Sequence, residues 1–139
     1  MNYDLVDKIE GISVMVSDQQ KAVEFYTQKL GFDVKLDTDI AGYRWIVVGP
    51  KNSDTVISLV DSAQLKKNSE LKEIKKQESR IGTSTGIWFY AKDIMSEYKE
   101  LKSKDVEITK PVKQVWGGIM CTLYDQDKNG YGLVGDSEE

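Results

Sequence analysis

A chain of 139 residues with no histidine and one cysteine has few routes to acid–base or nucleophilic chemistry. Cys121 sits among Ile119, Met120, Thr122 and Leu123, which reads as a packed strand, and a reactive thiolate wants a neighbouring base. Carboxylates, tyrosines and lysines remain. Glu10 and Asp61 fall near the ends of strand-like runs, where solvated charge is the simpler account. No convergent carboxylate pair and no serine–base arrangement is visible, so no catalytic residue is assigned.

One spacing invites a metal reading. Asp125, Asp127, Asn129 and Gly130 match the opening of an EF-hand calcium loop, which needs oxygen ligands at those intervals. However, Ile119 to Tyr124 before it reads as a strand, Gly132 stands where an aliphatic residue belongs, and Asp136 replaces the closing Glu. A polar β-turn explains these residues with less strain. No metal ligand and no cofactor is expected.

The elements that must position any site are written twice. Ile12–Val16 closes on Asp18, and Ile87–Ala91 closes on Asp93; each Asp is placed to cap the helix that follows. After Asp18, Ala22, Phe25, Tyr26 and Leu30 recur at helical spacing until Gly31; after Asp93, Ile94, Tyr98 and Leu101 do the same. The first helix is followed by strands at 32–36, 43–48 and 55–60, the second by strands at 106–108, 115–124 and 131–134. The two caps are 75 positions apart (93 − 18), so the repeat lies in length and pattern rather than in one short motif. The expected organisation is a single domain over 1–139. Its parts are a first βαβββ module at 9–61, a helical connector at 62–82 and a second module at 83–135. The Lys- and Glu-rich stretch 62–80, with Leu65, Leu71 and Ile74 as anchors, reads as a solvated helix, with a mobile cover over a site as its alternative.

An apolar fraction of 40% against 30% charged marks an ordinary globular composition. Net charge is −4 without a basic stripe, which argues against nucleic acid and agrees with a cationic ligand without requiring one. The amino terminus shows neither signal peptide nor membrane span, so a cytoplasmic location is expected.

Val16-Ser17-Asp18, Ala22-Val23-Glu24-Phe25-Tyr26 and Leu30-Gly31-Phe32 together resemble the first-module signature of the vicinal oxygen chelate superfamily. This superfamily includes glyoxalase I, bleomycin- and fosfomycin-resistance proteins and extradiol dioxygenases. Asp125-Gln126-Asp127-Lys128-Asn129-Gly130 is similar to its closing Asp-Pro-Asp-Gly-Asn turn. The resemblance covers about residues 9–135. It implies an α+β fold: two tandem βαβββ modules forming a cupped, incomplete mixed β-barrel, helices outside, ligand on the concave face and a homodimeric assembly.

In the enzymes of that superfamily, four inward strand positions carry His, Glu or Gln as metal ligands. Carried over, they fall on Gly11, Ser58, Gly86 and Gly132, none of which supplies an imidazole or carboxylate. Taking those positions as inward puts Ser13, Met15 and Ser58 on the cup face, with Trp88 and Tyr90; Ile12, Val14, Val16, Ile57, Leu59, Ile87 and Phe89 then pack under the helices. Trp45, Trp116 and Met120 complete the candidate ligand-binding set, though their facing is open. Gly117-Gly118 marks a bulge or close approach near the rim. Arg44 reads as a surface residue, with an anion clamp as alternative.

A cup of this kind suits stacking of a planar or apolar molecule better than proton transfer. The expected function is metal-independent binding of a small aromatic or amphipathic ligand, with a cationic one compatible, in the manner of the bleomycin-resistance group. The alternatives are a glyoxalase-type lyase or isomerase, a dioxygenase-like enzyme with an atypical site, and a structural partner with a vestigial cup.

Overall fold

The computed structural model describes residues 5–65 and 71–136. β1 (Gly11–Val16) leads to α1 (Gln19–Glu24), which runs on into a π-helical turn at Phe25–Lys29. β2 (Asp33–Ile40), β3 (Tyr43–Gly49) and β4 (Val56–Asp61) follow, then two short helices, α2 (Ser62–Leu65) and α3 (Leu71–Glu78). The pattern then repeats as β5 (Ser84–Tyr90), α4 (Ile94–Ser103), β6 (Val112–Lys113), β7 (Ile119–Tyr124) and β8 (Gly130–Gly135). The strands form two four-stranded sheets ordered β1-β4-β3-β2 and β5-β8-β7-β6. In both, the first strand runs parallel to the fourth and the other neighbours are antiparallel. The fold is α+β: two tandem modules with mixed sheets that do not close into a barrel.

Local chemistry starts both long helices. Asp18 Oδ1 accepts the Lys21 amide at 3.0 Å and Asp93 Oδ1 accepts that of Ser96 at 3.1 Å, each a cap worth about 1 kcal/mol. Within the first helix, the Thr27 hydroxyl takes the Val23 carbonyl at 2.7 Å, competing with the helical ladder where the π-turn lies. Strand alternation sends Val14, Val16, Ile57, Leu59, Ile46 and Val48 into a core shared with Leu123, Tyr131 and Leu133 of the second module. Of the other residues expected there, Ile87 and Phe89 pack against this core half-buried, and Ile12 is exposed.

Two elements differ from expectation. The third strand of the second module is Val112–Lys113 rather than 106–108: Val106 is buried in the core and Ile108 makes only an isolated bridge to Leu123. β7 begins at Ile119 rather than Val115, because 114–118 forms a tight turn. Among the described residues the connector is helical at α2 and α3; residues 66–70, and the side chains of Leu65, Leu71 and Ile74, lie outside the described set.

A polar junction, buried at Tyr26, Asp125, Asn129 and Tyr131, links the modules. The Tyr26 hydroxyl donates to Asp125 Oδ2 at 2.6 Å and also meets the Tyr131 hydroxyl. Asp125 Oδ1 accepts the amides of Asp127 and Asn129, and Asn129 Nδ2 donates to the Met15 carbonyl at 3.0 Å. Asp127 accepts the Ser17 amide at 2.9 Å and its hydroxyl at 2.5 Å. The polar turn is thus consumed by contacts to the first module. Its carboxylate oxygens face N–H and O–H donors, an arrangement unlike a calcium loop.

Candidate functional site

On the open face of the second sheet lies a cavity of about 550 Å³ lined by Ser84, Gly86, Ile87, Trp88, Trp116, Met120, Gly132 and Val134. Its volume falls in the range of drug-sized ligand sites, about 300–1,000 Å³. Strand register assembles it. Trp88 pairs with Gly132 and Tyr90 with Val134 across β5–β8, while Met120 pairs with Val134 and Thr122 with Gly132 across β7–β8. Paired residues share a face, so Trp88, Gly132, Val134 and Met120 point the same way. The turn between β6 and β7, closed by Gln114 N–H to the Gly118 carbonyl at 2.7 Å, brings Trp116 to the same cavity.

Of the four positions that the resemblance assigns to metal ligands, the three glycines are held as glycine by crowding or by backbone conformation. A Cβ on Gly11 would approach the Val56 carbonyl oxygen to 2.9 Å. Gly86 lies where the β5–β8 register slips between Ser84 and Trp88, with φ +74°, a bulge conformation that strains any L side chain. A Cβ on Gly132 would come within 2.9 Å of Met120 Cε and 3.1 Å of Trp88 Cβ. Ser58 offers a neutral hydroxyl and pairs with Ser13. Among the described residues no group of three His, Cys, Asp or Glu side chains could hold a metal ion. The donor set does not fit the metal that the superfamily's enzymes use.

Of the eight residues singled out from sequence, Trp88, Trp116 and Met120 meet at this cavity. Ser13 and Met15 instead border a cleft of about 40 Å³ with Arg80, Thr83 and Asn129, too small for an organic ligand. Ser58 and Trp45 lie on the corresponding face of the first sheet, where Trp45 is partly exposed and meets Tyr43 edge-to-face at 5.8 Å. Tyr90 shares the Trp88 face but donates its hydroxyl to Asp136 at 2.5 Å; that hydrogen bond, foremost, raises its pKa. Arg44 projects from the opposite face to Trp45 and is held by Asp37 at 3.0–3.1 Å and by Gln20 at 3.1 Å, so it is no anion clamp in this arrangement.

Sequence reasoning passed over Val134 and Ser84, and it placed Ile87 wholly under the helices, whereas Ile87 packs partly against the core and also borders this cavity. Alternation along β8 from Gly132 would have supplied Val134; the register slip around Gly86 has no sequence signal beyond the glycine itself. A second cavity of about 260 Å³ adjoins the first through Gly86, Ile87 and Trp88 and reaches Ile12 and Ile57 of the first module. Cys121, on the core face of β7, is buried and its thiol pKa is pushed up to about 11 by that burial, which keeps it a neutral packing group.

Comparison with known proteins extends the picture. The family model described as the Glyoxalase/Bleomycin resistance protein/Dioxygenase superfamily matches residues 8–133. YurT of Bacillus subtilis (strain 168), an uncharacterized protein, is 35% identical over 120 residues, covering 85% of this chain and 90% of YurT. TnmS3, an antibiotic binding protein from Streptomyces sp. CB03234, is 27% identical with a TM-score of 0.77, covering 97% of this chain and 100% of TnmS3. A superfamily member from Sphaerobacter thermophilus DSM 20745 is 28% identical with a TM-score of 0.80, over 95% of this chain and 99% of its own.

Proposed function

The chain belongs to the glyoxalase/bleomycin resistance protein/dioxygenase superfamily, and from that premise we propose that it binds a small aromatic or amphipathic molecule without a metal. The observation that carries this reading is the cavity of about 550 Å³, where Trp88, Trp116 and Met120 surround Gly132, a position that a metal ligand would occupy in an enzyme of the superfamily. Indole faces and a thioether give a planar ligand dispersion and stacking contacts, and a soft side chain such as Met adapts to irregular outlines. The net charge of −4 favours cationic over anionic ligands. The likeness to TnmS3, an antibiotic binding protein, supports a binding role over a catalytic one.

The binding unit is a homodimer in this proposal. Large apolar side chains stand exposed outside the cavity on both modules, including Leu36, Ile40 and Trp45 on the first and Val112 and Val115 on the second, a surface that a second copy would cover. Sedimentation equilibrium distinguishes dimer from monomer directly.

The binding reading is tested by titrating planar aromatic compounds into the protein in the presence of a chelator while following tryptophan emission. Saturable quenching that survives chelation supports it. Binding or turnover that appears only when a divalent metal is restored returns the glyoxalase-type enzyme to first place.

A further inference from the structure

Two adjacent glycines at the β6–β7 turn have different reasons to be glycine. Gly117 has φ +100°, so the backbone demands it. Gly118 lies outside the left-handed region, so φ does not reserve the position for glycine. Space is what forbids one: an added Cβ would overlap Cζ3 and Cη2 of Trp116 and sit 2.9 Å from its Cε3. The six-membered edge of the indole fills the place a side chain at 118 would take. That same indole lines the cavity opposite the β-sheet residues Trp88 and Met120, yet it remains 59% exposed. A ring so exposed has few packed neighbours, so its position depends on the seat beneath it.

We infer that Gly118 is a specificity-determining position: it seats the Trp116 indole over the cavity, and the residue at 118 sets how closely that indole approaches a planar ligand. The inference rests on reading the cavity as a binding site for aromatic molecules. Gly118 does not touch the ligand; it is a positioning residue acting through Trp116. The framework around it is firm, since the Gln114 amide to the Gly118 carbonyl and the Gly117 amide to the Gln114 carbonyl (3.0 Å) fix the turn independently of any side chain at 118. A substitution at 118 should therefore displace the ring and leave the turn.

The experiment has two arms. In the first, Trp45→Phe and Trp88→Phe leave Trp116 as the single tryptophan of the three. Adding Gly118→Val should then red-shift its emission and increase quenching by acrylamide, without ligand present, while circular dichroism stays that of the folded protein. Gly118→Ala, a smaller change, serves if the valine variant fails to fold. Unchanged emission and quenching in a folded variant overturn the inference whether or not any ligand binds.

In the second arm, 9-aminoacridine is titrated into the otherwise unmodified protein and its 118 and 116 variants. Gly118→Val should weaken binding by about threefold to tenfold, the scale of coupling between residues in contact. In a Trp116→Ala background the same substitution should change affinity by less than about twofold, because its intermediary is gone. Equal losses in both backgrounds contradict the inference. Failure of the unmodified protein to bind the acridine counts against the binding reading itself, and the first arm still decides the seat.

Discussion

Trp88 and Gly132 face each other across the parallel β5–β8 pair, so close that a Cβ at 132 would stand 3.1 Å from Trp88 Cβ. The missing side chain leaves the floor of the cavity to Trp88 and Met120. Gly132→Ala must push against Met120 Cε, a flexible end, and against Trp88 Cβ, which is fixed to its strand. The expected cost is at the low end of the overpacking range, about 1 kcal/mol in urea unfolding, with a weaker affinity for aromatic ligands. Gly132→Val should fold less well and bind hardly at all. A valine variant with undiminished binding would place the ligand elsewhere.

Trp88→Ala separates function from folding. Its ring is largely exposed in the free chain, so truncation should change stability by no more than about 0.5 kcal/mol, the usual size at surface positions. Ligand affinity should fall by tenfold or more, about 1.4 kcal/mol, as befits an aromatic anchor in a pocket. Calorimetric titration together with thermal unfolding reads both effects in one pair of proteins.

The junction of Tyr26, Asp125 and Tyr131 predicts a loss of stability when a single oxygen is removed. Tyr26→Phe leaves the buried Asp125 carboxylate one donor short and strands the Tyr131 hydroxyl. A cost of about 1–3 kcal/mol is expected, since an unsatisfied buried group loses its full desolvation energy. Cavity binding should persist in the folded fraction.

The same pair gives a pH dependence. Burial holds the Tyr26 and Tyr131 phenols neutral far above the ordinary value of 10.0. A raised folded-state pKa adds stability that is complete below the unfolded pKa and is lost as pH climbs beyond it. Unfolding free energy should hence be insensitive to these groups below pH 10 and fall above it, by about 1.4 kcal/mol per pH unit for each phenol that ionises only on unfolding. Tyrosinate absorbance should show a component from Tyr26 and Tyr131 that appears only together with unfolding. Ionisation of Tyr26 and Tyr131 in the folded protein near the ordinary phenol value would contradict the junction.

Cys121 gives a further check on the core face of β7. With its thiol pKa pushed up to about 11 and the side chain buried, alkylation by iodoacetamide at neutral pH should be negligible in native protein and rapid after denaturation.

What was legible in the sequence was whatever acts locally or with a strict period. Asp18 and Asp93 cap because the cap is a three-residue affair, and the alternation of β1 and β4 separates Val14, Val16, Ile57 and Leu59 from Ser13, Met15 and Ser58 by geometry alone. The Val112–Lys113 strand was not legible, because its identity depends on pairing with Met120 and Ile119 rather than on its own pattern. Tyr26 reads in sequence as one more apolar helix position; its partner Asp125 lies 99 residues away, and only the packed modules bring them together. The candidate site divides in the same way. Trp88 followed from strand parity, whereas Trp116 reaches the cavity through a turn whose shape only Gly117 and Gly118 hint at.

The central claim is best tested by a thermal-shift screen of the purified protein against aromatic and amphipathic small molecules, each run with a chelator and again with added divalent metal. A ligand at about 100 times its dissociation constant adds about 2.7 kcal/mol, which moves the melting temperature by several degrees. The account predicts shifts with planar aromatic compounds, cationic ones foremost, that are the same in both conditions and vanish in Trp88→Ala. Shifts that occur only with metal would contradict it and would mean that Gly11, Ser58, Gly86 and Gly132 do not mark where this chain's metal ligands would stand.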